Sequence, residues 1–211
     1  MNAQVPADAL AGALAARVAH DLAGALGGVT VALSLLDDKS AELRDEAAAL
    51  IATAVGELEA RLSFCRAAYG SPPGESPTSE TERLAHRLFE GGRAQLETAL
   101  AAGSLPGVVG QALLGLAQLA AGALGAGGQA RLSVRLDGDW CCVLEALGAR
   151  VRLAPEIAAA LRGEAPPAGS ATGRWAPAAF VYALVARRGG GIRVDVSDES
   201  LSILVRLPAP G

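Results

Sequence analysis

The chain holds two histidines. One of them, His20, stands directly before an acid, Asp21, inside a helix-patterned segment at residues 13–36, ALAARVAHDLAGALGGVTVALSLL. A free imidazole has a pKa of about 6.5, so near neutral pH much of it carries an unprotonated ring nitrogen able to attack phosphorus. On an exposed helix this residue type offers the chemistry of a phosphoryl carrier. Asp21 is placed to orient the ring or to hold the proton on its other nitrogen. Side chains at i and i+1 diverge on a helix, however, so that contact needs a favourable rotamer or a bridging water. Arg17, one turn earlier, either adds positive charge near a bound phosphate or is an ordinary solvated helix residue. A lone surface histidine is most often simply solvated, and the His-Asp pair acquires meaning only from its setting.

The setting begins with periodicity. Leu22, Leu26, Val29, Leu33 and Leu36 repeat with alternating spacings of four and three, and the register runs back through Ala19 and Ala15 as a coiled-coil-like seam. With these at a and d positions His20 falls at b, roughly 130° from the seam centre at about 100° per residue, and is expected to face water. Apart from Arg17 its same-face neighbours are small: Ala16, Ala23 and Gly24, with Ala13 and Gly27 one turn further out. A low surface formed by Ala13, Ala16, Ala23, Gly24 and Gly27 leaves the imidazole protruding where the active site of a second protein can dock.

After a turn at Asp37, Asp38, Lys39 and Ser40, a second helix carries Ile51, Val55, Leu58, Leu62, Cys65 and Tyr69 in the same four-three spacing, flanked by Leu43, Ala47, Leu50 and Ala54. A hairpin of two such helices cannot bury both stripes by itself, so a homodimer forming a four-helix bundle is expected. Residues 70–79, GSPPGESPTS, break the hairpin with prolines and glycines. The predicted organisation is a helical-hairpin domain at 1–70, a linker at 71–79 and an α/β domain at 80–211. Within the last, helices are expected at 80–89, 108–124, 155–161 and 175–188. Strands are expected at 94–100, 130–136, 140–147 and 151–153, with a loop at 166–173 and a closing hairpin of 192–196 and 201–207.

Composition narrows the partners. With 51% hydrophobic residues in 211 the chain can build a core, and a net charge of -4 without basic runs gives no reason to expect nucleic-acid binding. The apolar stretch 108–124 is interrupted by Gly110, Gln111, Gly115 and Gln118 and reads as a buried helix rather than a membrane span. No signal peptide is evident, and a cytoplasmic location is expected. The three cysteines form no metal pattern. Cys141 and Cys142 are adjacent on an expected strand and point to opposite faces, Cys65 belongs to the second helix stripe, and His86 is read as solvated or locally bonded.

A hairpin bearing His-Asp, followed by an α/β domain ending ALVARRGGGIRVDVSDESLSILVRLP, resembles the two-domain core of sensor histidine kinases. Within that superfamily it looks most like the ChpT-type histidine phosphotransferases, whose helix carries a CHDL-type motif, a small-residue segment and a leucine-rich stretch. The matching residues are Ala19-His20-Asp21-Leu22, Gly27-Gly28-Val29 and Leu33-Ser34-Leu35-Leu36, and the resemblance covers nearly the whole chain. Three positions depart from it. Ala19 replaces the family's cysteine, Gly24-Ala25 its Ser-Pro, and Val31-Ala32 a downstream Asn-Gly.

The resemblance implies an α+β fold: an antiparallel helical hairpin forming a dimeric four-helix bundle, then a degenerate GHKL/Bergerat-type α/β sandwich. Gly115 and Leu119 stand where kinase asparagines hold magnesium, and neither offers the oxygen a hard cation needs. Glu145-Ala146-Leu147-Gly148-Ala149 keeps the acid of the adenine loop but not its glycines, and Thr172-Gly173-Arg174-Trp175-Ala176-Pro177 replaces a glycine-rich lid with bulk. No cofactor is expected on this chain, and magnesium is expected from a partner receiver domain. The implied activity is a relay in which His20 takes phosphate from the aspartate of a hybrid-kinase receiver and passes it to that of a response regulator. Two other readings stand beside it: a residually active kinase, and a non-catalytic dimeric adaptor that binds receivers.

Overall fold

Alanine, not leucine, holds the N-terminal hairpin together. In the computed structural model, which describes residues 5–36, 40–100, 103–166 and 173–209, α1 (Ala7–Leu35) and α2 (Ala41–Tyr69) pack against each other through Ala25 and Ala32 on one side and Ala47 and Ala54 on the other, all buried. A Cβ at Gly28 would lie 3.5 Å from that of Ala54, so the two axes cross on the smallest residues available. The leucine stripes lie beside this contact rather than in it. Leu26 and Leu33 remain 55% and 50% exposed, and Leu50, Val55 and Leu62 on α2 are exposed as well. The physical reason is close approach: the helices settle face to face on methyl groups, and the leucines rotate onto the adjoining, outward face. Residues 37–39, the expected turn, lie outside the described residues.

The open end of the hairpin is embedded in the rest of the molecule. Phe64 and Ala68 of α2 are buried in the main core, and Val5, Leu10, Ala13 and Leu14 pack against it from the N-terminal side. By length and composition α1 is apolar enough to cross a membrane, yet its first turns rest on the α/β layer and its centre on α2.

That layer comprises β1 (Glu75–Pro77), α3 (Thr78–Arg87), β2 (Ala94–Ala99), β3 (Ser104–Pro106), α4 (Gly107–Ala123), β4 (Gly128–Asp137), β5 (Asp139–Leu147), α5 (Pro155–Leu161), α6 (Ala176–Ala186), β6 (Gly191–Val196) and β7 (Ser200–Leu207). The stretch at 70–79, read as a breaker, is partly regular: β1 pairs antiparallel with β3, and Thr78 opens α3. The larger sheet runs β2-β4-β5-β7-β6, and only the β2–β4 pair is parallel. Its inner face presents Leu132, Leu144, Ile203 and Val205 to α4 and α6 in strict alternation. The outer face carries Glu97, Arg131 and Glu145 side by side across β2, β4 and β5, a solvated ladder of alternating charge. Cys142 joins the inner core, where burial pushes its thiol up to about 12, while Cys141 faces the other way. His86, on α3, meets the Thr98 hydroxyl at 3.3 Å.

Residues 151–153, expected as a strand, pair with no ladder. The Val151 N–H donates to the Asp198 carbonyl at 2.7 Å and the Arg152 N–H to that of Ala123 at 3.1 Å. A three-residue segment tied to two different elements cannot lie along either, and instead it bridges the end of α4 to the β6–β7 turn.

Candidate functional site

His20 is exposed on α1 and lines an open groove of about 1000 Å³ between that helix and the α/β layer. The opposite wall is built from Gln118, Leu119 and Gly122 of α4, the 151–155 bridge, Arg174 and Pro177 at the start of α6, and Val196, Ser197 and Asp198 of the β6–β7 turn. Two sets of contacts hold the walls in place. At the base of the hairpin, the Tyr69 hydroxyl donates to the side-chain carbonyl of Gln118, and its ring meets Phe64 and Phe180 edge-on at 6.3 and 5.4 Å. Beside it, Gln111 Nε2 donates to the Gly70 carbonyl at 2.6 Å. Nearer the mouth, Gly173 adopts φ of +60° and lies so close to α1 that a Cβ there would stand 2.9 Å from the Ala13 carbonyl oxygen. Glycine meets both demands at that position: no Cβ and a left-handed backbone.

Asp21 turns its carboxylate to Arg17. Arg17 Nε donates to Asp21 Oδ2 at 2.9 Å across one helical turn, and both side chains are largely covered. The i,i+4 spacing makes this pairing natural, whereas the i,i+1 neighbour points elsewhere. The pair also faces Cys65 on α2. Burial pushes the Cys65 thiol up, Asp21 adds to the rise, and Arg61 and Arg17 offset part of it. Of the expected low surface, Ala16, Ala23, Gly24 and Gly27 are exposed as laid out, while Ala13 is half-buried beneath the Gly173 segment. The exposed face around His20 therefore has a built edge on its N-terminal side.

Arg152, Arg174, Gln118 and Cys65 reach the site without any signal in the sequence. They are scattered from α2 to the start of α6, and nothing in their spacing marks convergence. At the positions that the resemblance to kinases sets against nucleotide ligands, the side chains pack in the core or face outward. A Cβ at Gly115 would collide with a Val181 methyl, so this glycine is where α6 crosses α4. Leu119 is 5% exposed. Glu145 alternates with the inward Ala146 and so projects from the outer face of the sheet, away from α4. Trp175 is buried at the start of α6, and Thr172 lies outside the described residues.

The fold, a helical hairpin seated on an α/β layer, is shared with solved structures. The 1.7 Å structure of a bacterial phosphotransferase matches with a TM-score of 0.82 and 23% identity, covering 97% of this chain and 99% of that one. Histidine kinase AdeS of Acinetobacter baumannii matches with a TM-score of 0.48 and 13% identity over 92% of this chain and 96% of that one. In sequence, the protein phosphotransferase ChpT of Brucella abortus (strain 2308) is 28% identical over 159 residues, 72% of this chain and 74% of that protein. Residues 78–200, more than half of the chain, match the family described as the histidine phosphotransferase C-terminal domain. The chain belongs to the ChpT-like histidine phosphotransferase family.

Proposed function

We propose that the chain relays a phosphoryl group through His20 between receiver-domain aspartates, taking it from a hybrid kinase and delivering it to a response regulator. The observation that carries this reading is the exposure of His20 on a face of Ala16, Ala23, Gly24 and Gly27, above an open groove. In the charging step the lone pair of one ring nitrogen attacks phosphorus, an N–P bond forms, the aspartyl O–P bond breaks, and the receiver carboxylate leaves as an anion. The nucleophile needs no prior deprotonation when the imidazole is neutral. On this reading the magnesium and lysine that counter the phosphoryl charge belong to the receiver. This chain contributes position: an imidazole held over a low surface by a hairpin whose base is packed into the α/β layer.

Charging in trans is supported by the fate of the nucleotide positions, where Gly115 packs on Val181, Leu119 is buried and Glu145 faces outward. A homodimer is supported by the leucine face of the hairpin. Leu26, Val31, Leu33, Leu43, Leu50, Val55 and Leu62 are all exposed, more apolar side chain than an isolated hairpin leaves in water. Receiver partners place the protein in the cytoplasm.

The test is transfer of label from a phosphorylated receiver. Native protein is expected to acquire acid-labile, base-stable label, and His20→Ala none. Label that persists in His20→Ala, or never appears on the native chain, overturns the relay.

A further inference from the structure

We infer that Arg174 binds the phosphoryl group while it resides on His20, an assignment that rests on the relay reading above. Phosphorylation converts a neutral ring into a group with close to two negative charges, and a protein that carries it needs a cation near the nitrogen. The adjacent arginine, Arg17, is engaged. Its Nε is held by Asp21 at 2.9 Å, so the pair brings almost no net charge to the His20 face. Arg174 lines the same groove as His20 and is exposed, and among the described residues no ion pair or hydrogen bond engages it.

Its placement is built rather than incidental. Gly173 presses on α1, and a Cβ there would lie 3.8 Å from the Cβ of Arg17. His20 is one turn above Arg17 on the same face, a rise of about 4.5 Å at 1.5 Å per residue. The next residue after Gly173 is thus delivered within arginine reach of the imidazole. From the other side the stem is pinned, because Trp175 and Ala176 are buried and the Ala176 N–H donates to the Gly173 carbonyl at 3.0 Å. The guanidinium presents a planar fork that matches phosphoryl oxygens. Across the groove the far wall carries one charge of each sign, Asp198 on the β6–β7 turn and Arg152 on the bridge.

The experiment uses the full chain as native protein, Arg174→Gln and Arg174→Lys, with melting temperature as the check on folding. Each is charged in two ways, by a phosphorylated receiver and by phosphoramidate, a small donor that makes no docking contact. The readout is the fraction of chain carrying phospho-His20 at equilibrium. Arg174→Gln is expected to lower it about fivefold with both donors, the size of one exposed charge pair, and Arg174→Lys to restore most of it. Raising the salt is expected to bring the native protein toward the glutamine variant. Equal fractions for native and glutamine variant overturn the assignment. So does a deficit seen with the receiver but not with phosphoramidate, which makes Arg174 a receiver contact instead. Phosphoramidate labelling of native His20 without labelling from any receiver overturns the relay while leaving the Arg174 comparison intact.

Discussion

Tyr69 shows how much a single side chain does in joining the two parts of this molecule. Its ring edges meet Phe64 and Phe180, its hydroxyl reaches Gln118, and burial above all raises its phenol pKa well beyond the ordinary value, with Cys65 adding to the rise. The folded state therefore prefers the protonated phenol. A raised folded pKa contributes stability that is complete below the unfolded value, near 10, and is lost as pH climbs above it. Denaturant midpoints are expected to be flat from neutrality to about pH 8.5, to decline above it as the Cys65 and Cys142 thiols ionise in the unfolded chain, and to fall more steeply above about pH 10, where Tyr69 joins them. In Tyr69→Phe the neutral-pH stability is expected to drop by roughly 1 kcal/mol for the lost hydrogen bond, and the alkaline decline to be shallower. An alkaline slope unchanged in the variant would assign it to other groups. At this scale the sequence also carries its plainest signal, since His20 is exposed as its heptad position requires. The same periodicity could not show that Asp21 turns to Arg17, a choice between i+1 and i+4 partners that only coordinates settle.

At the scale of elements, glycines separate the two uses of helix α4. Gly115 sits at the crossing with α6 and a methyl there meets Val181, while Gly122 has nothing within 4 Å of its Cβ position. Alanine improves helix propensity at both by up to about 1 kcal/mol, but overpacking at a crossing costs about 1–3 kcal/mol. Gly122→Ala is thus expected to raise the melting temperature and Gly115→Ala to lower it. A gain at both sites would mean that the α4–α6 contact yields freely. Helix and strand positions were largely readable, because 3.6- and 2-residue apolar periods survive in α4 and in β4, β5 and β7. The small β1–β3 pair was not, since three residues bordered by prolines carry no period, and 151–153 was misread because its apolar residues face the groove without a ladder to join.

At the scale of the whole molecule, the hairpin is buried at its base and bare along its leucine face. Leu33 and Leu50 are 50% and 45% exposed, and a second copy that covers such positions removes large apolar side chains from water, each contributing about 1.5–3 kcal/mol when fully buried. Light scattering is expected to give twice the chain mass for native protein and the single mass for Leu33→Glu combined with Leu50→Glu. A native protein that is already monomeric, or a double variant that stays dimeric, removes the bundle.

The sequence by itself determined the helices and the five strands of the larger sheet, the water-facing angle of His20 and its small-residue surroundings, because these follow from local period and side-chain size. Which faces of α1 and α2 meet was decided in three dimensions: leucine and alanine stripes both satisfy a four-three spacing, and the closer approach goes to the smaller residues. The groove was decided there too. Arg152, Arg174 and Gln118 come to His20 because the N-terminal turns of α1, the end of α2 and the Gly173 segment all pack on one α/β layer, and long-range packing leaves no spacing rule in the chain to be read in advance.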